Sequence, residues 1–216
     1  MMKRILCYGD SNTYGTDPVN SGQSINSSAR FSMDERWPLL LEKELGDGYS
    51  VIEEGLGGRT TVFDDPMSPG RNGVEYLDIA FRTHDPVDYI IIMLGTNDTK
   101  DVYSASAEVI SWGLERMLRE LKNLMRDSLS QEAQILIVSP IYVRKNSKGN
   151  YYCGFSKASE EKSKKLAGYY KPIAEHYGCQ FLDAAEYIAA SQADGIHLGQ
   201  EDHKILARTL ARKIDI

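Results

Sequence analysis

Ile90-Ile91-Ile92-Met93-Leu94, followed at once by Gly95-Thr96-Asn97-Asp98, is the stretch that decides the fold. A short, unbroken apolar run rich in β-branched residues is a strand buried on both faces, and such strands belong to parallel sheets covered by helices on either side. Further β-type runs at residues 3–8, 49–53, 134–139 and 179–183 join the run at 88–94 to give five expected strands. Between them lie longer stretches of helical period, the alternation expected of βαβ units. Residues 104–127 carry Ile110, Leu114, Met117, Leu118, Leu121, Leu124 and Met125 on one stripe. A second stripe, Leu166, Tyr169, Tyr170, Ile173 and Tyr177, contains Pro172, which predicts a kink or two shorter helices there. Helices are also expected at 35–45, at 72–84 and after Gly199, where Glu201 and Asp202 suit the positive end of the dipole.

The chain has 216 residues, 42% hydrophobic and 26% charged, enough for a sizeable core in one domain spanning 1–216. Its net charge of -6, with both signs interspersed, argues against nucleic acid as a partner. No apolar run reaches the length of a membrane span, and the N-terminal residues read as a strand instead of a signal peptide, so the expected location is cytoplasmic. Three cysteines without C-x-x-C spacing indicate neither a disulfide framework nor a zinc site.

Two segments, 12–34 and 141–155, show no clear period, and long loops leaving the carboxyl ends of parallel strands are where ligands bind. On the same rim lie four short polar or glycine-rich signatures: Gly9-Asp10-Ser11, Gly55-Leu56-Gly57-Gly58-Arg59, Gly95-Thr96-Asn97-Asp98 and Asp194-Gly195-Ile196-His197-Leu198. Acyl transfer needs a hydroxyl nucleophile, a base, a group to orient the base, and donors for an oxyanion. Ser11, His197 and Asp194 fit the first three roles, and the N–H groups of Ser11 and Gly58 with the Asn97 amide fit the last. Each signature also has a plain structural reading. Asp10 or Ser11 can cap the next helix, Gly57-Gly58 can allow a tight turn, and Asn97 and Asp98 can bond their own backbone. His84, His176 and His203 read as structural. One hydrolytic site explains all four signatures together.

In order and spacing these motifs resemble the SGNH (GDSL) hydrolase superfamily. The stretches Val51-Ile52-Glu53-Glu54-Gly55-Leu56, Arg59-Thr60-Thr61 and Asp64-Asp65-Pro66 are similar to its aryl-esterase and acyltransferase branch. The resemblance implies a flavodoxin-like three-layer α/β/α sandwich with a five-stranded parallel sheet. It also implies Ser11 as nucleophile with Asp194 and His197, an oxyanion hole of Ser11, Gly58 and Asn97, and no metal or organic cofactor. Small acetyl or aryl esters are the first expected substrates, with thioesters, lysophospholipids and acetylated carbohydrates behind them. Homo-oligomerisation is compatible with the resemblance. Asn12, Tyr14, Phe63, Tyr142 and Phe155, and with them Trp37, Tyr151 and Tyr152, lie in or near loops that would surround Ser11, and are read as a substrate pocket. Two other classes fit parts of the pattern: a flavodoxin-like protein whose loop 11–16 cradles a flavin phosphate, and a non-catalytic binding module. The flavin reading leaves Asn97, Asp194 and His197 unexplained.

Overall fold

A computed structural model describes residues 2–21 and 29–214. Five parallel strands, β1 (Lys3–Gly9), β2 (Tyr49–Gly55), β3 (Tyr89–Met93), β4 (Gln134–Ser139) and β5 (Gln180–Asp183), lie in the order β2-β1-β3-β4-β5. Every residue of β3 is buried, as its unbroken apolar run requires of a central strand.

Alternate residues of the strands feed two separate cores. Leu6, Tyr8, Ile90, Ile92 and Ile137 face α3 (Gly73–His84), α4 (Ala107–Arg126) and α5 (Lys157–His176). Ile5, Cys7, Ile91, Met93, Leu136 and Val138 face α2 (Trp37–Leu45) and α6 (Gln200–Ile214). The result is a three-layer α/β/α sandwich in which the period-2 alternation of each strand assigns its side chains to one layer or the other. A four-residue helix, α1 (Ser11–Tyr14), follows β1 directly.

The stripe on α4 buries Ile110, Leu114, Met117, Leu118, Leu121 and Met125, and Ser106 caps its start by accepting from the Val109 N–H at 3.2 Å. In α5 the alternative of two shorter helices at Pro172 is not what forms. One 20-residue helix carries the proline in its interior. Pro172 and Gly168, four residues earlier, both lie on the exposed face. Solvent therefore reaches the Gly168 carbonyl that loses its donor. The loop at 141–155 has neither helix nor strand, as its lack of period suggested, whereas part of the other long segment, residues 22–28, lies outside the described residues.

In this strand order the chain reverses direction across the sheet between β1 and β3. Ligands of open α/β sheets bind beyond the carboxyl ends of the strands at such a switch point. Ser11 leaves β1 there, and Asn97 leaves β3. Among the described residues no helix is long and apolar enough to cross a membrane.

Candidate active site

Asp10 follows β1 directly and its Oδ1 accepts the Asn12 N–H at 2.9 Å, so it caps α1 and fixes the turn that presents Ser11. The capping role anticipated as the plain alternative is therefore present, alongside an arrangement that turns do not need. Ser11 Oγ lies 3.0 Å from His197 Nε2, and His197 Nδ1 lies 2.6 Å from Asp194 Oδ2. All three side chains are buried.

The loop that carries Asp194 and His197 is built locally. Asp194 Oδ1 accepts the N–H groups of both Ile196 and His197 at 3.0 Å, leaving Oδ2 for the imidazole. Gly195 turns the chain at φ +82°, where its bare α-carbon packs on the backbone of Arg144 and a β-carbon would collide with that carbonyl. Burial raises the Asp194 carboxyl's affinity for a proton, but hydrogen bonding and charge from His197, with the two backbone donors, outweigh it and hold the pKa below 3.8. The carboxylate thus stays ionised and takes one imidazole nitrogen as a donor, which leaves Nε2 facing the Ser11 hydroxyl.

The other half of the rim is tied together through two carbonyls. Gly9 O accepts from the Leu56 N–H at 3.1 Å and from the Arg59 guanidinium at 2.9 Å. Arg59 O accepts from the Asn97 side-chain amide at 3.1 Å, which orients that amide while leaving it a second N–H. Gly58 adopts φ +81° within the same turn, and the Ser11 N–H opens the first turn of α1, where a helical N–H has no intrahelical acceptor. Arg59 is buried, stacked 4.1 Å over the Tyr8 ring, and its desolvation lowers its pKa. Sequence reading gave it no role, since an arginine in a glycine-rich turn carries no signal of burial. Asp98 was read only as a turn residue. It is fully buried, accepts from the Thr61 N–H at 2.9 Å and from the Thr61 hydroxyl at 2.5 Å, and is pushed by burial to a pKa of about 6.

The residues read as a pocket fare unevenly. Asn12 is buried, and its amide is committed to backbone on either side of His197. Tyr14 lies under the Arg30 guanidinium at 4.2 Å, and Phe63 stacks on Tyr103 with 5.2 Å between centroids. Tyr142 is exposed and borders a cavity of about 270 Å³ with Arg144, Glu160, Lys164 and Ile188. Phe155 is buried with Val143 and Ile196, below the Asp194–His197 loop. Trp37 belongs to the core between α2 and α6, and Tyr151 donates to Glu160. Tyr152 is the aromatic side chain that meets the histidine, edge-on with 5.7 Å between centroids. Of the other histidines, His84 pairs with Glu54, His176 packs on Tyr177, and His203 is fully buried. Among the described residues no three His, Cys, Asp or Glu side chains gather as metal ligands.

Known structures share this arrangement of strands and loops. An aryl esterase of M. smegmatis superposes with a TM-score of 0.91 at 35% identity, covering 99% of this chain and 98% of that one. A carbohydrate acetylesterase from Sinorhizobium meliloti gives 0.88 at 34% identity, with 99% and 98% covered. An acetylxylan esterase of Xylanibacter ruminicola is 25% identical over 98% of this chain, which spans 43% of that relative's length. Residues 7–205, from the core of β1 into α6, match the sequence profile of the GDSL-like lipase/acylhydrolase family. The chain therefore belongs to that family, and its fold is the SGNH hydrolase fold.

Proposed function

We propose that the protein is a serine esterase that hydrolyses small carboxylic esters, acetyl and aryl esters first, through an acyl-enzyme on Ser11. The observation that carries this reading is the Ser11–His197–Asp194 chain of hydrogen bonds, at 3.0 and 2.6 Å, on the rim beyond β1. Ser11 Oγ attacks the ester carbonyl carbon as its proton passes to His197 Nε2. The developing oxyanion is held by the N–H groups of Ser11 and Gly58 and by the free N–H of the Asn97 amide. Collapse breaks the bond to the leaving alcohol, which takes the proton from His197, and leaves the acyl group on Ser11. Water then attacks the acyl carbon, gives its proton to His197, and departs with the acyl group as the carboxylic acid when Ser11 recovers its hydrogen.

Tyr152 gives the His197 side of the site an aromatic edge, which favours uncharged substrates. The net charge of -6 works in the same direction, against anionic ones. The names of the relatives add two alcohol portions to weigh, an aromatic ring and an acetylated sugar. The cytoplasmic placement rests on Cys7, Cys153 and Cys179, all free thiols, which suit a reducing compartment.

A panel of p-nitrophenyl acetate, p-nitrophenyl octanoate and peracetylated xylose, offered to the wild type and to Ser11→Ala, tests the proposal. Turnover of the acetyl esters by the wild type alone is expected, with the octanoate slower. Equal turnover by both proteins rejects the assignment of Ser11.

A further inference from the structure

We infer that Asn12 is a positioning residue that sets the register of His197 against Ser11, an inference that rests on the reading of Ser11 as nucleophile. The turn that presents Ser11 and the loop that presents His197 are distant in sequence and must be brought together by contacts outside the reacting atoms. Among the described residues, three hydrogen bonds join residues 10–16 to residues 188–199. One is the Ser11–His197 bond itself. The other two come from the amide of Asn12, whose Nδ2 donates to Ile196 O at 3.1 Å and whose Oδ1 accepts the Leu198 N–H at 2.9 Å.

Those two partners flank His197 on either side. A residue paired in parallel with a strand does the same, donating to the carbonyl before its partner and accepting from the N–H after it. The Asn12 side chain therefore stands in for one residue of a parallel neighbour centred on His197. The partners also fix the amide's orientation, because a carbonyl needs the nitrogen and an N–H needs the oxygen. Such pairing locks the loop along its own axis and sets the direction in which the His197 side chain leaves the backbone.

The remainder of the loop is held by its own contacts and by β4's following segment, not by the Ser11 turn. Asp194 binds the Ile196 and His197 N–H groups, Ser191 N–H donates to His197 O at 2.7 Å, and Arg144 N–H donates to Gly195 O at 2.9 Å. On the other side, Asn12 sits next to Ser11, and its own N–H is held by Asp10. The amide is thus a rigid spacer between nucleophile and base. Leucine fills the same volume but offers neither bond, and aspartate keeps the acceptor for Leu198 but sets an oxygen against the Ile196 carbonyl.

The test measures kcat, KM and the rate of inactivation by a fluorophosphonate for wild type, Asn12→Leu, Asn12→Asp and Ser11→Ala, each confirmed as folded by near-ultraviolet circular dichroism. A displacement of the base by about 1 Å costs on the order of 100-fold, so kcat and the inactivation rate should fall by roughly 10- to 100-fold in the folded Asn12 variants. KM should stay within about threefold, since the substrate's own contacts are untouched. A role in stability alone would lower the melting temperature and leave kcat and inactivation rate per folded molecule near the wild-type values. A fall of less than about tenfold in either folded variant overturns the inference. Persistent turnover and labelling in Ser11→Ala would instead sink the reading of Ser11, so the two failures are told apart.

Discussion

His197 Nε2 stands 3.0 Å from Ser11 Oγ although 186 positions of chain separate the two residues. The sheet accomplishes this by sending Ser11 off β1 at the switch point, while the segment after β5 returns over the same rim ahead of α6. Each partner is then held by a different local device: an aspartate cap for Ser11, and a doubly bonded aspartate turn for His197.

Asp194→Asn keeps an acceptor for the backbone N–H groups but offers the imidazole an amide in place of a carboxylate. The wrong tautomer is then favoured, and kcat for an acetyl ester should fall by about 1,000- to 10,000-fold with little change in KM. Ser11→Ala and His197→Ala should cost more. An Asp194→Asn enzyme within tenfold of wild type would remove the orienting role.

Asn97→Ala deletes the amide that Arg59 O holds in place. Loss of one oxyanion donor typically costs about 100- to 1,000-fold in kcat, and that loss is expected here with KM near its wild-type value. A rise in KM at unchanged kcat would make Asn97 a ground-state contact.

Much of this was legible in the sequence. The apolar run of β3 fixed its central place, and the strands and the stripe of α4 lie within a residue or two of where periodicity puts them. The residues that converge on the rim were visible as four short signatures. The supporting contacts were not, because they depend on tertiary placement. Asn12 looks like any loop asparagine until its neighbour across the rim is known, and nothing in Gly58-Arg59-Thr60 says that the arginine is buried against Tyr8. The aromatic residues divide for the same reason: chain position places them all near loops, but packing sends Trp37 into a core and leaves Tyr152 against His197. At Pro172 the helix runs on as one element because that face is exposed, where the lost bond is cheapest.

The buried Asp98 carboxyl should leave a signature in the pH dependence of stability. Burial raises its pKa from 3.8 to about 6. Below 3.8 both folded and unfolded chains hold the proton. As the pH rises from there to about 6 the unfolded chain releases it first, so stability is lost over that window, by about 3 kcal/mol. Asp98→Asn keeps an acceptor for Thr61 without the charge, so its melting temperature should gain on the wild type from pH 4 to pH 7. A constant difference across that range would contradict the assignment.

His203 should act in the opposite sense. Burial, reinforced by the charges of His197 and Arg36, lowers its pKa from 6.5 to about 3. Its contribution is complete above pH 6.5 and is lost as the pH falls towards 3, by about 5 kcal/mol, because the unfolded chain takes up the proton first. Its Nδ1 also accepts the Trp37 N–H at the start of α2, at 3.2 Å. His203→Phe should therefore be less stable at pH 7, by about 1–3 kcal/mol for the abandoned N–H, with the gap to wild type narrowing towards pH 4. Thermal melts of both proteins at several pH values check this, and a gap that widens on acidification would refute it.

The central claim is that Ser11 is the nucleophile, and the most direct measurement is the site of covalent labelling. Wild-type protein treated with a fluorophosphonate, digested and sequenced by mass spectrometry should carry one adduct, on Ser11, in step with the loss of esterase activity. Ser11→Ala should take up none. An adduct on another residue, or activity that survives full labelling of Ser11, would contradict the account.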